Sequence, residues 1–153
     1  MIRITAFLTL LFTMGTVFSY EITDLSKIKG HELEITSIHL NNKGYSTFPL
    51  EILACSNLIE LNLADNGIIN LPAGLGKLTR LKKLNLSGNE GVSYIDLDAL
   101  FLDALFQLES LNLGDCDLGF ISHQIGRQKG LKELNVAGNG LNNLPYPVIQ
   151  LTK

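Results

Sequence analysis

The stretch LIELNLADN, residues 58–66, decides the fold. Its Leu58, Leu61, Leu63 and Asn66 return as Leu81, Leu84, Leu86 and Asn89. They return again as Leu108, Leu111 and Leu113, with Cys116 in the Asn slot, and as Leu131, Leu134, Val136 and Asn139. A weaker first copy reads Ile35, Ile38 and Leu40, with Lys43 in the last slot. The copies start at residues 35, 58, 81, 108 and 131, so every unit spans 23 residues except the third, which spans 27. Self-similarity at this period marks a solenoid, because each unit is too small to bury its own apolar face and needs a neighbour. The L-x-L core alternates as a strand must, leucines inward and the residue between them outward.

The second half of each unit repeats too. Ile68, Leu71, Pro72, Leu75 and Leu78 correspond to Tyr45, Phe48, Pro49, Ile52 and Cys55, and to Leu141, Leu144, Pro145, Val148 and Leu151. Over residues 35–153 the pattern resembles the leucine-rich-repeat family, in its 23-residue class with an LP turn. It lacks the L-x-G-x-I-P phrase of the plant extracellular class. The resemblance implies an α/β solenoid, a curved horseshoe segment with a parallel concave sheet and an irregular or helical convex side. The expected units are 35–57, 58–80, 81–107, 108–130 and 131–153. The prolines fit a return turn that needs no ladder hydrogen bond. Asn66, Asn89 and Asn139 are expected to form a buried amide ladder, since backbone groups leaving a strand must be satisfied. Cys116 fills a ladder slot as Cys often does in the family, and Lys43 marks a divergent terminal unit. The long third unit carries Leu97, Leu100, Phe101, Ala104 and Leu105 at helical spacing, which predicts a convex helix after Asp96.

The N-terminus reads separately. Arg3 precedes an apolar run from Ile4 to Phe18, and Val17 and Ser19 are small enough for a cleavage site. Residues 1–19 are therefore expected to be a secretory signal, making the protein secreted, periplasmic or cell-surface. The alternative is an uncleaved membrane anchor. Residues 20–34 are expected to form an N-terminal cap with a short helix over the first strand. Cys55 and Cys116 lie three turns apart, roughly 14 Å along the axis, whereas bridged Cα atoms are under about 7 Å apart. Two buried free thiols follow.

Chemistry is sparse. His31, His39 and His123 show no metal-ligand spacing, and His39 is expected to be solvated. The carboxylates of Asp65, Asp115 and Asp117 are too few and too spread for a calcium loop. No phosphate loop, nucleophile elbow or Cys/His dyad occurs. Catalysis, cofactor and metal are therefore not expected. A net charge of −3 without a basic stripe argues against nucleic acid.

What remains is a surface. The outward slots hold His39, Asn62, Asn85, Asn112 and Asn135, a polar column down the concave sheet. Beside it runs a strip of mostly small residues, Asn41, Ala64, Ser87, Gly114 and Ala137. Glu60, Lys83 and Glu133 flank the column. Amides donate and accept, so the column suits docking of a protein or peptide. Equally, Asn can be a soluble filler copied with the repeat. The family resemblance implies a binding module. Two further readings stand beside it: self-association through an uncapped C-terminal end, and an accessory piece of a larger receptor or enzyme.

Overall fold

The computed structural model describes residues 20–94 and 105–143. Six strands among these residues form one open parallel sheet in chain order. They are β1 (Tyr20–Ile22), β2 (Ile35–His39), β3 (Glu60–Asn62), β4 (Lys83–Asn85), β5 (Ser110–Asn112) and β6 (Glu133–Asn135). The middle leucines pair in register: Ile38 with Leu61, Leu61 with Leu84, Leu84 with Leu111, Leu111 with Leu134. The long third unit leaves this register unshifted, so its extra residues are absorbed on the return path. The helix expected within 96–106 lies outside the described residues.

The inward residues make one continuous core. Leu58, Leu61, Leu63, Leu81 and Leu86 are fully buried, as are Ile35, Ile38 and Leu40. Each such side chain contributes roughly 1.5–3 kcal/mol by leaving water. The return path is tight and repetitive. Short 3-10 turns run over Leu50–Ala54, Ala73–Lys77, Glu90–Tyr94 and His123–Arg127. Ile52, Leu75 and Ile125 each plug such a turn into the core. Pro49 and Pro72 sit at the N-terminal boundary of their turns with φ of −68° and −74°. Those values are the ones the pyrrolidine ring imposes, and neither position needs a backbone donor.

The cap differs from expectation. Residues 20–22 are a strand, paired with β2 and carrying an irregularity between Tyr20 and Glu21. A single 3-10 turn, Leu25–Lys27, follows, and Asp24 accepts the Ser26 N–H at 2.9 Å. The reason is the edge of β2. A bare edge presents unpaired backbone groups, and a strand satisfies them where a helix would not. Ile22 and Ile28 close the apolar end.

The inner ladder forms. Asn66 donates to Leu40 O, Leu63 O and Ala64 O at 2.9–3.0 Å and accepts Lys43 N–H and Tyr45 N–H at 3.0 and 3.1 Å. Asn139 repeats this with Leu113 O, Val136 O, Cys116 N–H and Leu118 N–H. Asn89 donates to Leu63 O, Leu86 O and Ser87 O and accepts Ile68 N–H. Cys116 manages less: its sulfur lies 3.2 Å from Leu86 O and 3.4 Å from Gly114 O. One S–H donor serves two carbonyls weakly where an amide serves three.

The residue before each ladder slot is left-handed. Asn42, Asp65 and Asp115 have φ of 54°, 54° and 53°, and Gly88 and Gly138 have 67° and 69°. Asn, Asp and Gly are the residues that tolerate this region. Asp65 and Asp115 are thus turn formers. Cys55 and Cys116 are buried and free. Burial pushes the Cys55 thiol up to about 11 and raises Cys116 as well.

Candidate functional site

Strand register stacks the outward residues. His39 faces Asn62, Asn62 faces Asn85, Asn85 faces Asn112, and Asn112 faces Asn135. Each Asn does the same local task. Its Oδ1 accepts the N–H two residues on, from Ala64, Ser87, Gly114 and Ala137 at 3.0–3.1 Å. These N–H groups point back under the strand exit, and the short Asn side chain reaches them as in an Asx turn. The recurrence of Asn with a small residue two positions later was the sequence signal for this role, and the pattern reading missed it.

The consequence is polarity. An amide oxygen engaged by a backbone N–H fixes which end is nitrogen. No Nδ2 of the column donates a hydrogen bond among the described residues, and that of Asn135 lies against Gly114 of the preceding turn. Each Oδ1 has two lone pairs, and among the described residues only that of Asn85 receives a second donor, Ser87 Oγ at 2.8 Å, so the column keeps groups that donate and groups that accept.

His39 is also not a plain solvated histidine. It is half-buried, with Nδ1 3.2 Å from Glu21 Oε1 and Nε2 3.3 Å from Glu60 Oε1. Ser37 Oγ stands 3.1 Å from Nε2. The ring ties β1, β2 and β3 together. Lys83 Nζ extends the row, 3.7 Å from Glu60 Oε2.

A second ionic group crosses β4 to β6. Lys82 and Lys132 flank Glu109 at 3.0 and 2.6 Å. Hydrogen bonds from Lys132 and then Lys82 hold the Glu109 carboxyl down at about 2. Lys82, Glu109 and Lys132 share one slot of the repeat, two residues before each middle leucine, and were not among the expected site residues. With Ile59, Lys83, Ser110 and Glu133 they line a shallow depression. Glu133 is exposed at its rim. The small strip lies on the other side of the column. A side chain at Gly114 would start 3.1 Å from Asn135 Nδ2 and 3.3 Å from Asn112 Oδ1.

The family model for leucine-rich repeats matches residues 56–100 in two copies. An internalin from Listeria monocytogenes superposes with a TM-score of 0.68 over 87% of this chain and 37% of its own, at 26% identity. The chain belongs to the leucine-rich-repeat family. Its sheet is therefore the concave wall of a curved, open leucine-rich-repeat solenoid. The leucine-rich-repeat ectodomain of a receptor kinase from Arabidopsis thaliana is similar over 71% of this chain and 59% of its own, with 27% identity and a TM-score of 0.54. Among curated relatives, adenylate cyclase of Schizosaccharomyces pombe is 35% identical over 120 residues. That match takes in 76% of this leucine-rich-repeat chain and only 7% of the cyclase. The chain thus spans a small fraction of such relatives. Leucine-rich-repeat folds commonly mediate protein–protein interaction through their concave surfaces.

Proposed function

We propose that this chain is a non-catalytic protein- or peptide-binding module that docks its partner on the concave face. The observation that carries the reading is the register-stacked row of anchored amides on Asn62, Asn85, Asn112 and Asn135. His39, Glu60, Lys83 and Glu133 frame it. The row is preorganised, because each amide is anchored through its oxygen and loses little freedom on binding. Residues 1–19 act as the export signal, which places the module outside the cytoplasm; the alternative is retention as a membrane anchor. Partners are proteins or peptides, not nucleic acid, and no cofactor is required. The catalytic activities of the far larger relatives are not carried over.

The test is partner capture from exported and cell-surface proteins of the source, using the chain and an Asn85→Arg, Asn112→Arg variant in parallel. A partner held by the first and lost by the second supports the reading. Equal capture by both overturns it.

A second reading has its own observation. Leu134, Val136 and Leu141 at the far end are only partly buried, unlike Leu111 and Leu113 one turn earlier. Those half-covered side chains suit burial against a second copy. Mass in solution decides it: a strict monomer at high concentration counts against self-association.

A further inference from the structure

We infer that Asn139 is a self-modifying site, where the Gly140 nitrogen attacks the Asn139 side chain and water completes its conversion to aspartate or isoaspartate. The dipeptide Asn-Gly occurs twice in the chain, at 66–67 and at 139–140. Glycine leaves the attacking nitrogen least hindered, because it has no Cβ. Asn66 and Asn139 hold equivalent places in the ladder, yet the structure separates them. Gly67 N–H donates to Tyr45 O at 2.8 Å. Its flanks are tied to the following turn, Asp65 N–H to Ser87 O at 2.8 Å and Ile68 N–H to Asn89 Oδ1 at 3.1 Å. Asn66 is buried. Gly140 N–H has no hydrogen-bond partner among the described residues, and a Cβ there would meet nothing within 4 Å. Asn139 is only half-buried. The remaining ladder amide, Asn89, precedes Glu90, whose side chain crowds the nitrogen.

The chemistry balances with water alone. The Gly140 nitrogen bonds to Asn139 Cγ, the Cγ–Nδ2 bond breaks, and Nδ2 leaves as ammonia with the Gly140 proton. Water then opens the cyclic imide at either carbonyl, giving aspartate or isoaspartate. Cys116 and Leu118 N–H groups hold Asn139 Oδ1 at 3.0 and 2.9 Å, where negative charge develops during the attack. Asn66 has two such donors as well, so access decides between the sites. The amide must leave the ladder to react, and its rate therefore follows local opening. At 66–67 opening breaks bonds to both neighbouring turns. At 139–140 the bonds among the described residues reach back to the preceding turn only. The product then fails the ladder. Asn139 Nδ2 donates to Leu113 O, Val136 O and Ala137 O at 2.8–3.2 Å, and a carboxylate there sets oxygen against three carbonyls. Isoaspartate also lengthens the main chain by a methylene. Both loosen the turn that leaves β6, and with it Asn135 of the concave column. That last consequence rests on the concave-face reading; the site itself does not.

The test incubates the full chain and a Gly140→Ala variant at mildly alkaline pH, folded and in denaturant. Peptide mass mapping and isoaspartate detection follow the conversion at each asparagine. Alanine fits at 140, since a Cβ there meets open space. In the folded parent, conversion at Asn139 is expected to exceed that at Asn66 roughly tenfold, the ratio being set by local opening. In denaturant the two sites should convert alike, and Gly140→Ala should slow Asn139 in both states. An Asn139→Asp variant should melt at a lower temperature than the parent. Equal conversion at both sites in the folded chain, faster conversion at Asn66, no conversion at Asn139, or no effect of Gly140→Ala overturns the inference. Unequal conversion in denaturant would assign the difference to sequence and overturn it too. A melting temperature for Asn139→Asp equal to the parent's overturns the consequence for the docking face.

Discussion

The carboxylate of Asp65 fills the space in which a side chain at residue 88 would begin, and Gly88 is left-handed with φ of 67°. Asp115 stands over Gly138 in the same way. The order of Asp and Gly along this column is therefore complementary from turn to turn. Gly88→Ala adds both a strained φ and a collision, and is expected to cost about 2 kcal/mol. In an Asp65→Gly background the same change should cost about half as much, since the carboxylate collision is gone while the φ strain and the 3.3 Å approach to the residue 65 backbone remain. Urea unfolding of the four proteins checks this; equal costs in both backgrounds would contradict the stacking account.

The ladder predicts unequal losses. Asn66→Ala removes five hydrogen bonds and leaves buried backbone groups without partners. It is expected to cost about 3 kcal/mol, against about 1 kcal/mol for Cys116→Ala, whose sulfur makes only weak contacts. Thermal unfolding of the two variants measures the difference.

The outward column has a structural share. Asn85→Ala orphans the Ser87 N–H and is expected to destabilise by about 1 kcal/mol. Asn85→Asp keeps the acceptor and should stay within about 0.5 kcal/mol of the parent. Similar losses for both would show that the Oδ1 contact is not what stabilises the strand exit.

Glu109 gives a pH signature. Its folded value lies at about 2, below the ordinary 4.5, because Lys132 and Lys82 hydrogen-bond the charged form. A depressed carboxyl stabilises the fold above its ordinary value and loses that contribution as pH falls from about 4.5 toward 2. The melting-temperature difference between the parent and Glu109→Gln should therefore be largest above pH 5 and vanish near pH 2. It should also shrink in high salt, since the lysines are exposed. A difference independent of pH would contradict the pairing.

The thiols should be silent. Cys55 and Cys116 are buried and both are raised, Cys55 to about 11. A thiol reagent at pH 8 is expected to find neither in the native protein and both in denaturant. Rapid native labelling would contradict their burial.

The repeat made most of the fold legible. Leu61, Leu84 and Leu111 announced the strands, and their spacing announced the register, because identical units can bury their faces only against each other. Cys116 and Asn66 were readable as ladder residues for the same reason. Strand β1 was not readable, since Tyr20–Ile22 is too short to show alternation and belongs to no repeat. The column was visible as Asn62, Asn85, Asn112 and Asn135, but its anchoring was not. That each amide oxygen is held by the N–H of Ala64, Ser87, Gly114 or Ala137 is a fact of backbone geometry. The Lys82–Glu109–Lys132 group was legible as one slot of the repeat, two residues before each middle leucine, but its ion-pair distances belong to the structure.

The central claim is that partners dock on the concave column. Its most direct measurement is the affinity of a captured partner for the parent chain, for Asn85→Arg with Asn112→Arg, and for Lys77→Glu on the opposite side of the solenoid. The account predicts loss of binding in the concave variant and none in Lys77→Glu, with all three equally folded. Binding that survives the concave variant, or fails only in Lys77→Glu, would contradict it.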